Sequence, residues 1–141
     1  MKTIHLLSLL LLIIAACSDN STNVTNQNQS TYIYQKSGLV DSLGGTGYKV
    51  DTLGSFDFTN VTDIEIKFTL NGNATSTLPV FFLGGYQNIV PITFYSTRGV
   101  NGVLNVDTVI VSPKIVLSTY IALNPSGGWV SVRDMYISKK N

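Results

Sequence analysis

The chain of 141 residues has one cysteine, one histidine and one tryptophan, and only 12% of its residues are charged. A single cysteine excludes an internal disulfide. Cys17 and His5 alone are too few for a zinc site of the Cys/His type, which takes four ligands. Both lie in the first 17 residues, so the rest of the chain has no histidine or cysteine for a Ser-His-Asp or Cys-His nucleophile system. Glu65 is the only glutamate and alanine is scarce, which leaves little helix-forming composition. The longest apolar run, Leu6 to Ile14, is interrupted by Ser8 and falls short of the roughly 20 residues that cross a bilayer. Nine basic against eight acidic residues give no basic face for nucleic acid.

That short apolar run sits in a recognisable setting. Met1-Lys2-Thr3-Ile4-His5 is a basic start, Leu6 to Ile14 an apolar core, and Ala15-Ala16 a pair of small residues before Cys17. This is the layout of an export signal. Ile14-Ala15-Ala16-Cys17 resembles the lipobox of bacterial lipoproteins. The resemblance implies that residues 1–16 are removed and that Cys17 is acylated, giving attachment to a membrane through lipid. Several acyl chains, at about 0.8 kcal/mol per buried CH₂, hold a chain firmly. Ser18 after the cysteine has no charge, which by the same resemblance points to the outer membrane. Lys2 and His5 leave with the signal, so the mature chain keeps eight basic and eight acidic residues and no histidine.

Residues 17–31 read as a tether. Twelve of the fourteen residues from Ser18 to Thr31 are Ser, Thr, Asn or Gln, which bury too little apolar surface to offset the entropy of ordering. As a flexible coil the segment has an end-to-end distance of about 20 Å and spaces a domain from a lipid surface.

The remainder, 32–141, is expected to be one all-β domain. Short apolar or alternating runs are separated by Gly, Asn, Pro and Ser. In Thr62 to Leu70, residues Ile64, Ile66, Phe68 and Leu70 share one parity and Asp63, Glu65, Lys67 and Thr69 the other, which predicts a strand with one wet face. Further strands are expected at Tyr32–Leu43, broken near Gly38, and at Tyr48–Leu53, Leu78–Leu83, Ile89–Tyr95, Val103–Val111, Lys114–Leu123 and Trp129–Ser138. Turns or loops are expected at Gly44 to Gly47, Asn71-Gly72-Asn73, Gly84-Gly85, Arg98 to Gly102 and Asn124 to Gly128. Val40 to Gly44 and Val50 to Gly54 are near-copies that read as a hairpin echo. The last strand changes parity between Val132 and Met135, which predicts a β-bulge near Arg133-Asp134. The count and spacing fit an antiparallel β-sandwich, a jelly roll ahead of an immunoglobulin-like arrangement. The closing stretch Trp129 to Ile137 resembles the final strand of galactose-binding-type carbohydrate modules.

Without histidine, acid–base chemistry would rest on Glu65 and Asp41, Asp51, Asp57, Asp63, Asp107 and Asp134. A glycosidase needs two carboxylates facing each other across a cleft. Asp63 and Glu65 are instead neighbours on one strand face, so a carboxylate-dependent hydrolase ranks below a non-enzymatic role. Asp57, Asn60 and Asp63 form an oxygen-rich group that could hold a structural Ca²⁺, and they are equally ordinary turn residues. No other cofactor is suggested. Tyr48, Tyr86 and Trp129 each stand beside a glycine-rich stretch, a setting in which a ring can stack on a sugar face. Asp41-Ser42-Leu43, Asp51-Thr52-Leu53 and Asp107-Thr108-Val109 resemble the O-glycosylation acceptor of exported Bacteroidetes proteins, which would place glycans on Ser42, Thr52 and Thr108. Together these features point to an envelope lipoprotein with a binding module for a glycan. The alternative is a structural subunit of a surface complex, with an envelope protein as partner.

Overall fold

A computed structural model of the chain describes residues 32–140. The expected signal segment 1–16, Cys17 and the tether lie outside the described residues. Eight strands follow in order: β1 (Tyr32–Gly44), β2 (Lys49–Asp57), β3 (Asp63–Thr75), β4 (Phe81–Gln87), β5 (Val90–Thr97), β6 (Gly99–Val111), β7 (Val116–Leu123) and β8 (Trp129–Lys140). They form two four-stranded sheets, β1-β8-β3-β6 and β2-β7-β4-β5, with every pair antiparallel. Consecutive strands mostly alternate between the sheets, which is the jelly-roll arrangement of a β-sandwich.

The alternation in β3 explains how the sheets close on each other. Ile64, Ile66, Phe68 and Leu70 are buried from the first sheet, joined by Val130, Val132, Met135 and Ile137 of β8. The second sheet contributes Phe81, Leu83, Leu117, Ile121 and Leu123. Phe68 meets Phe81 at 5.0 Å and Tyr95 at 5.3 Å between ring centroids, so a three-ring cluster spans the two sheets.

The expected bulge in β8 is present. Pairing with β3 shifts between Tyr136 and Arg133, and Asp134 takes a φ of +49°. The shift lets Val132 and Met135 both face the core despite their opposite parity. β1 breaks at the same level: Gly38, at φ +76°, donates its N–H to Asp134 Oδ1 at 2.7 Å. Pro91 lies on β5, an edge strand, where a missing N–H is tolerated.

Three expected interruptions are instead strand. β3 runs through Asn71-Gly72-Asn73 to Thr75, paired with β8 as far as Gly72 and with β6 throughout. Gly72 is required there by close approach, since a Cβ would overlap the Trp129 carbonyl oxygen and lie 3.1 Å from Val130 Cα. Gly84 and Gly85 lie inside β4, and Gly99 to Gly102 open β6. In each case glycine signals a tight neighbour or an inserted kink rather than the end of a strand. Gly72→Ala is therefore expected to cost about 1–3 kcal/mol by forcing β3 and β8 apart. A urea unfolding midpoint no lower than that of the unsubstituted protein would contradict this.

The echo between Val40–Gly44 and Val50–Gly54 is not a hairpin, because β1 and β2 belong to different sheets. Its two aspartates meet across the gap between them. Lys49 Nζ pairs with the buried carboxylate of Asp41 and lies 3.2 Å from Asp51. The Asp41 carboxyl and then the Lys49 ammonium hold Asp51 below the usual carboxylate range. Lys49 is raised above the usual ammonium value, by Asp41 first. Thr59 lowers Asp57 in the same way, through its hydroxyl and its amide. Depressed carboxylates stabilise the fold above their unfolded value of about 3.9 and cease to as pH falls through the folded value. A raised lysine stabilises it below about 10.4 and ceases to as pH rises through its folded value. The urea midpoint is thus expected to be level between about pH 5 and 9 and to decline on both sides. Lys49→Met should flatten both declines, and unchanged slopes would count against the triad.

The topology defines two ends. β1 begins and β8 finishes at one, the proximal end, together with the β2–β3, β4–β5 and β6–β7 loops. The other four loops gather at the distal end, where Gly45 donates to Gly128, Asn124 to Val80 and Val80 to Thr97.

Candidate functional site

The outer face of the second sheet carries a group of aromatic rings. In β4 the side chains of Phe81 and Leu83 enter the core, so Phe82, Gly84 and Tyr86 point outward. In β7 the same parity puts Ser118, Tyr120 and Ala122 on the outer face. Tyr120 pairs directly with Gly84. With no side chain at Gly84, the Tyr120 ring lies between those of Phe82 and Tyr86. Its centroid is 5.5 Å from Phe82, at an interplanar angle of 21°, and 5.0 Å from Tyr86, at 16°. A Cβ at Gly84 would overlap the Ile92 carbonyl oxygen of β5 and come within 2.7 Å of the Phe82 ring, so glycine is needed for the strands to pair closely and for the ring to lie where it does. Burial first, and then the Tyr86 hydroxyl, push the Tyr120 phenol well above its usual range, so it remains a neutral hydrogen-bonding group.

The stack forms one side of an open cleft of about 450 Å³ near the distal end. Phe82 and Tyr120 line it, with Ala122, which pairs with Phe82, and Asn124, just past the end of β7. Tyr48, entering β2, and Leu78-Pro79, of the β3–β4 loop, complete the lining. The volume is in the range of small-ligand sites, and the lining is apolar with a few polar groups, as such sites usually are. Tyr48 and Leu78 are well exposed, at 69% and 62%. Among the described residues no charged side chain lines the cleft. The arrangement offers flat apolar ring surface, two phenol hydroxyls and one carboxamide.

Two of the three aromatic residues singled out in the sequence belong to this surface: Tyr48 lines the cleft and Tyr86 closes the stack. Trp129 does not. It lies in β8 of the first sheet, opposite Gly44, and its backbone N–H donates to Asn73 Oδ1 at 3.0 Å. Phe82, Tyr120 and Asn124 were not expected. The signal for Phe82 was its shared parity with Gly84 and Tyr86, hidden once Gly84-Gly85 was read as a break; Tyr120 and Asn124 carried none, because only the pairing of β7 with β4 brings them to this face.

The remaining candidates lie outside this cleft. Asp57 Oδ1 accepts from the Thr59 N–H at 2.9 Å and its hydroxyl at 2.6 Å, a local turn. Asp57 ends a strand of one sheet, Asp63 begins a strand of the other, and Asn60 lies exposed between them. Among the described residues no three His, Cys, Asp or Glu side chains converge as a metal group. Glu65 and Asp107 flank Lys67 at 3.3 and 3.4 Å on the outer face of the first sheet, an exposed ion cluster. Asp41, Asp51 and Asp107, the aspartates of the three Asp-Ser/Thr-aliphatic triplets, are all paired with lysine. Ser42 and Thr52 are exposed and Thr108 is half-buried, all three within strands.

No family model matches the sequence, and no curated protein matches it. Among solved structures, the chain is similar to one titled "CBM4 structure and function", at 11% identity over 70% of this chain and 81% of that chain, with a TM-score of 0.48. A likeness at that level says nothing about what this chain binds.

Proposed function

We propose that this chain is a lipid-anchored, non-catalytic binding module of the bacterial envelope, held by acylated Cys17 in the outer membrane, and that its ligand is a neutral carbohydrate. The observation that carries the reading is the uncharged cleft walled by Tyr48, Phe82 and Tyr120. A pyranose ring has apolar C–H faces and a rim of hydroxyls. Aromatic rings match the faces, while phenol hydroxyls and a carboxamide match the rim. The absence of charge from the lining favours a neutral sugar over an anionic one. Among the described residues no carboxylate lines the cleft, so the paired-carboxylate route of glycoside hydrolysis has no groups there to use. The cleft lies toward the distal end, away from Tyr32, where residues 1–31 join the domain. The test is a glycan array probed with the protein, followed by titration of the best neutral oligosaccharide. Binding should be lost in Tyr120→Ala and kept in Trp129→Ala. Loss with Trp129→Ala alone would move the site to the other sheet and defeat the reading.

One observation favours a second reading, a subunit of a surface complex. β6 is an edge strand of thirteen residues paired to β3 without a register shift. The other edges are broken: β1 and β2 by register shifts, β5 by Pro91. Val103, Val109 and Val111 are exposed along β6, with Asp107 the one charged residue of the strand, which leaves most of this edge open to another strand. Recovery of one constant partner from detergent-solubilised membranes, lost on Val103→Lys, would support this reading.

A further inference from the structure

The proximal end has a feature that the cleft does not use. β4 and β5 are joined by the two residues Asn88-Ile89. Asn88 takes φ +57°, which suits the first central position of a tight hairpin turn. Ile89 follows at the tip and is 90% exposed, the most exposed large apolar side chain among the described residues. A polar residue would serve the turn equally well, so the fold gains nothing from an isoleucine there. Val90, Val111 and Val116 are exposed at the same end, at the start of β5, the finish of β6 and the start of β7. Lys114, in the β6–β7 loop, and Lys139-Lys140, finishing β8, stand there too. The carboxylates at this end are Asp57, engaged by Thr59 and facing Lys139, Asp63, and Glu65, which lies beside Lys139 and is paired with Lys67. With Glu65 held by Lys67, the three lysines stand against two further carboxylates. β1 also begins here, at Tyr32, so the segment bearing Cys17 joins the domain at this end.

We propose that the proximal end docks on an anionic phospholipid surface, with Ile89 inserted at the headgroup boundary and the lysines on the headgroups. The proposal rests on the anchor reading for its setting. Apolar side chains beside lysines are the chemistry of interfacial contact. Only fourteen residues separate Cys17 from Tyr32, and attachment over so short a length of chain gives an effective concentration of about millimolar, so a weak contact is occupied. Docking this way points the cleft outward, away from the membrane.

The experiment uses residues 17–141 with Cys17→Ala, which removes the anchor and leaves untouched every core residue, all of which lie within 32–140. The protein is sedimented with vesicles of phosphatidylcholine, with and without phosphatidylglycerol. Binding is expected with phosphatidylglycerol and weaker without it. Ile89→Asp should lower the partition about tenfold, equivalent to about 1.4 kcal/mol. Val103→Asp, an exposed position toward the distal half of β6, should leave it unchanged. In separate variants, a fluorophore on Ile89→Cys should be quenched by bromine-labelled acyl chains, and one on Val103→Cys should not. No binding by the unsubstituted protein, equal partition of Ile89→Asp, or equal quenching at both sites would overturn the docking. The mass of the Cys17 peptide from membrane-extracted full chain tests the anchor separately. Acylated Cys17 without vesicle binding defeats docking alone; unmodified Cys17 with vesicle binding defeats the anchor alone.

Discussion

Phe68→Ala is expected to destabilise the domain by about 3–5 kcal/mol, the range for removing a buried phenylalanine side chain. The residue is 3% exposed and central to a ring cluster that joins side chains from β3, β4 and β5. Phe81 and Tyr95 contact each other as well, at 6.3 Å, so neither can collapse freely into the space left behind. A cavity that cannot close retains its full cost. That is a large share of the roughly 5–15 kcal/mol that holds a typical domain folded, so the variant's urea midpoint should fall far below that of the unsubstituted protein. Leu104→Ala, on β6 at the rim of the core and 36% exposed, is the comparison and should cost much less. Urea unfolding followed by tryptophan fluorescence measures both, since Trp129 is the single reporter. Similar midpoints for the two variants would mean that the cluster does not hold the sheets together.

Tyr120→Ala is expected to weaken binding of a neutral oligosaccharide by about 30-fold or more, a loss of about 2 kcal/mol typical of a buried aromatic anchor. Tyr120 is the middle ring of its stack, so its removal also frees Phe82 and Tyr86 to turn away from the orientations it imposes. Tyr120→Phe keeps the stack and removes one hydroxyl, and should cost only about 1 kcal/mol. The pair of variants separates ring stacking from hydrogen bonding. Isothermal titration reads the affinities, and the urea midpoint confirms that each variant is folded. Wild-type affinity in Tyr120→Ala would sink the proposal for this cleft, whatever the protein binds elsewhere.

The fold was legible because its signals are local. The alternation from Asp63 to Leu70 names the buried face of β3 without reference to any other strand, since successive side chains must point to opposite faces. The parity change after Val132 is equally local: one extra residue is the simplest way to keep both Val132 and Met135 inside. Glycine was where this reasoning failed. Gly72 and Gly84 look like turn residues in one dimension, because a lone glycine records only that a side chain is unwelcome. Whether the reason is a positive φ, as at Gly45, or a neighbouring strand, as at Gly72, depends on atoms distant in sequence. The candidate site was half legible for the same reason. Tyr48 and Tyr86 stand out as rings near glycine, but so does Trp129, and nothing along the chain places it on the other sheet. Tyr120 shows no such mark, and only its register against Gly84 brings it between Phe82 and Tyr86.

The sequence by itself therefore determined composition and period: no histidine or cysteine beyond Cys17, and strands with one apolar face each. Those properties depend on residue identity and on the two-residue repeat of an extended chain, and both are local. Which strands pair, which rings meet and which end carries Ile89 were decided by the tertiary structure alone. Such contacts join residues dozens of positions apart, and they are selected by the packing of two whole sheets against each other.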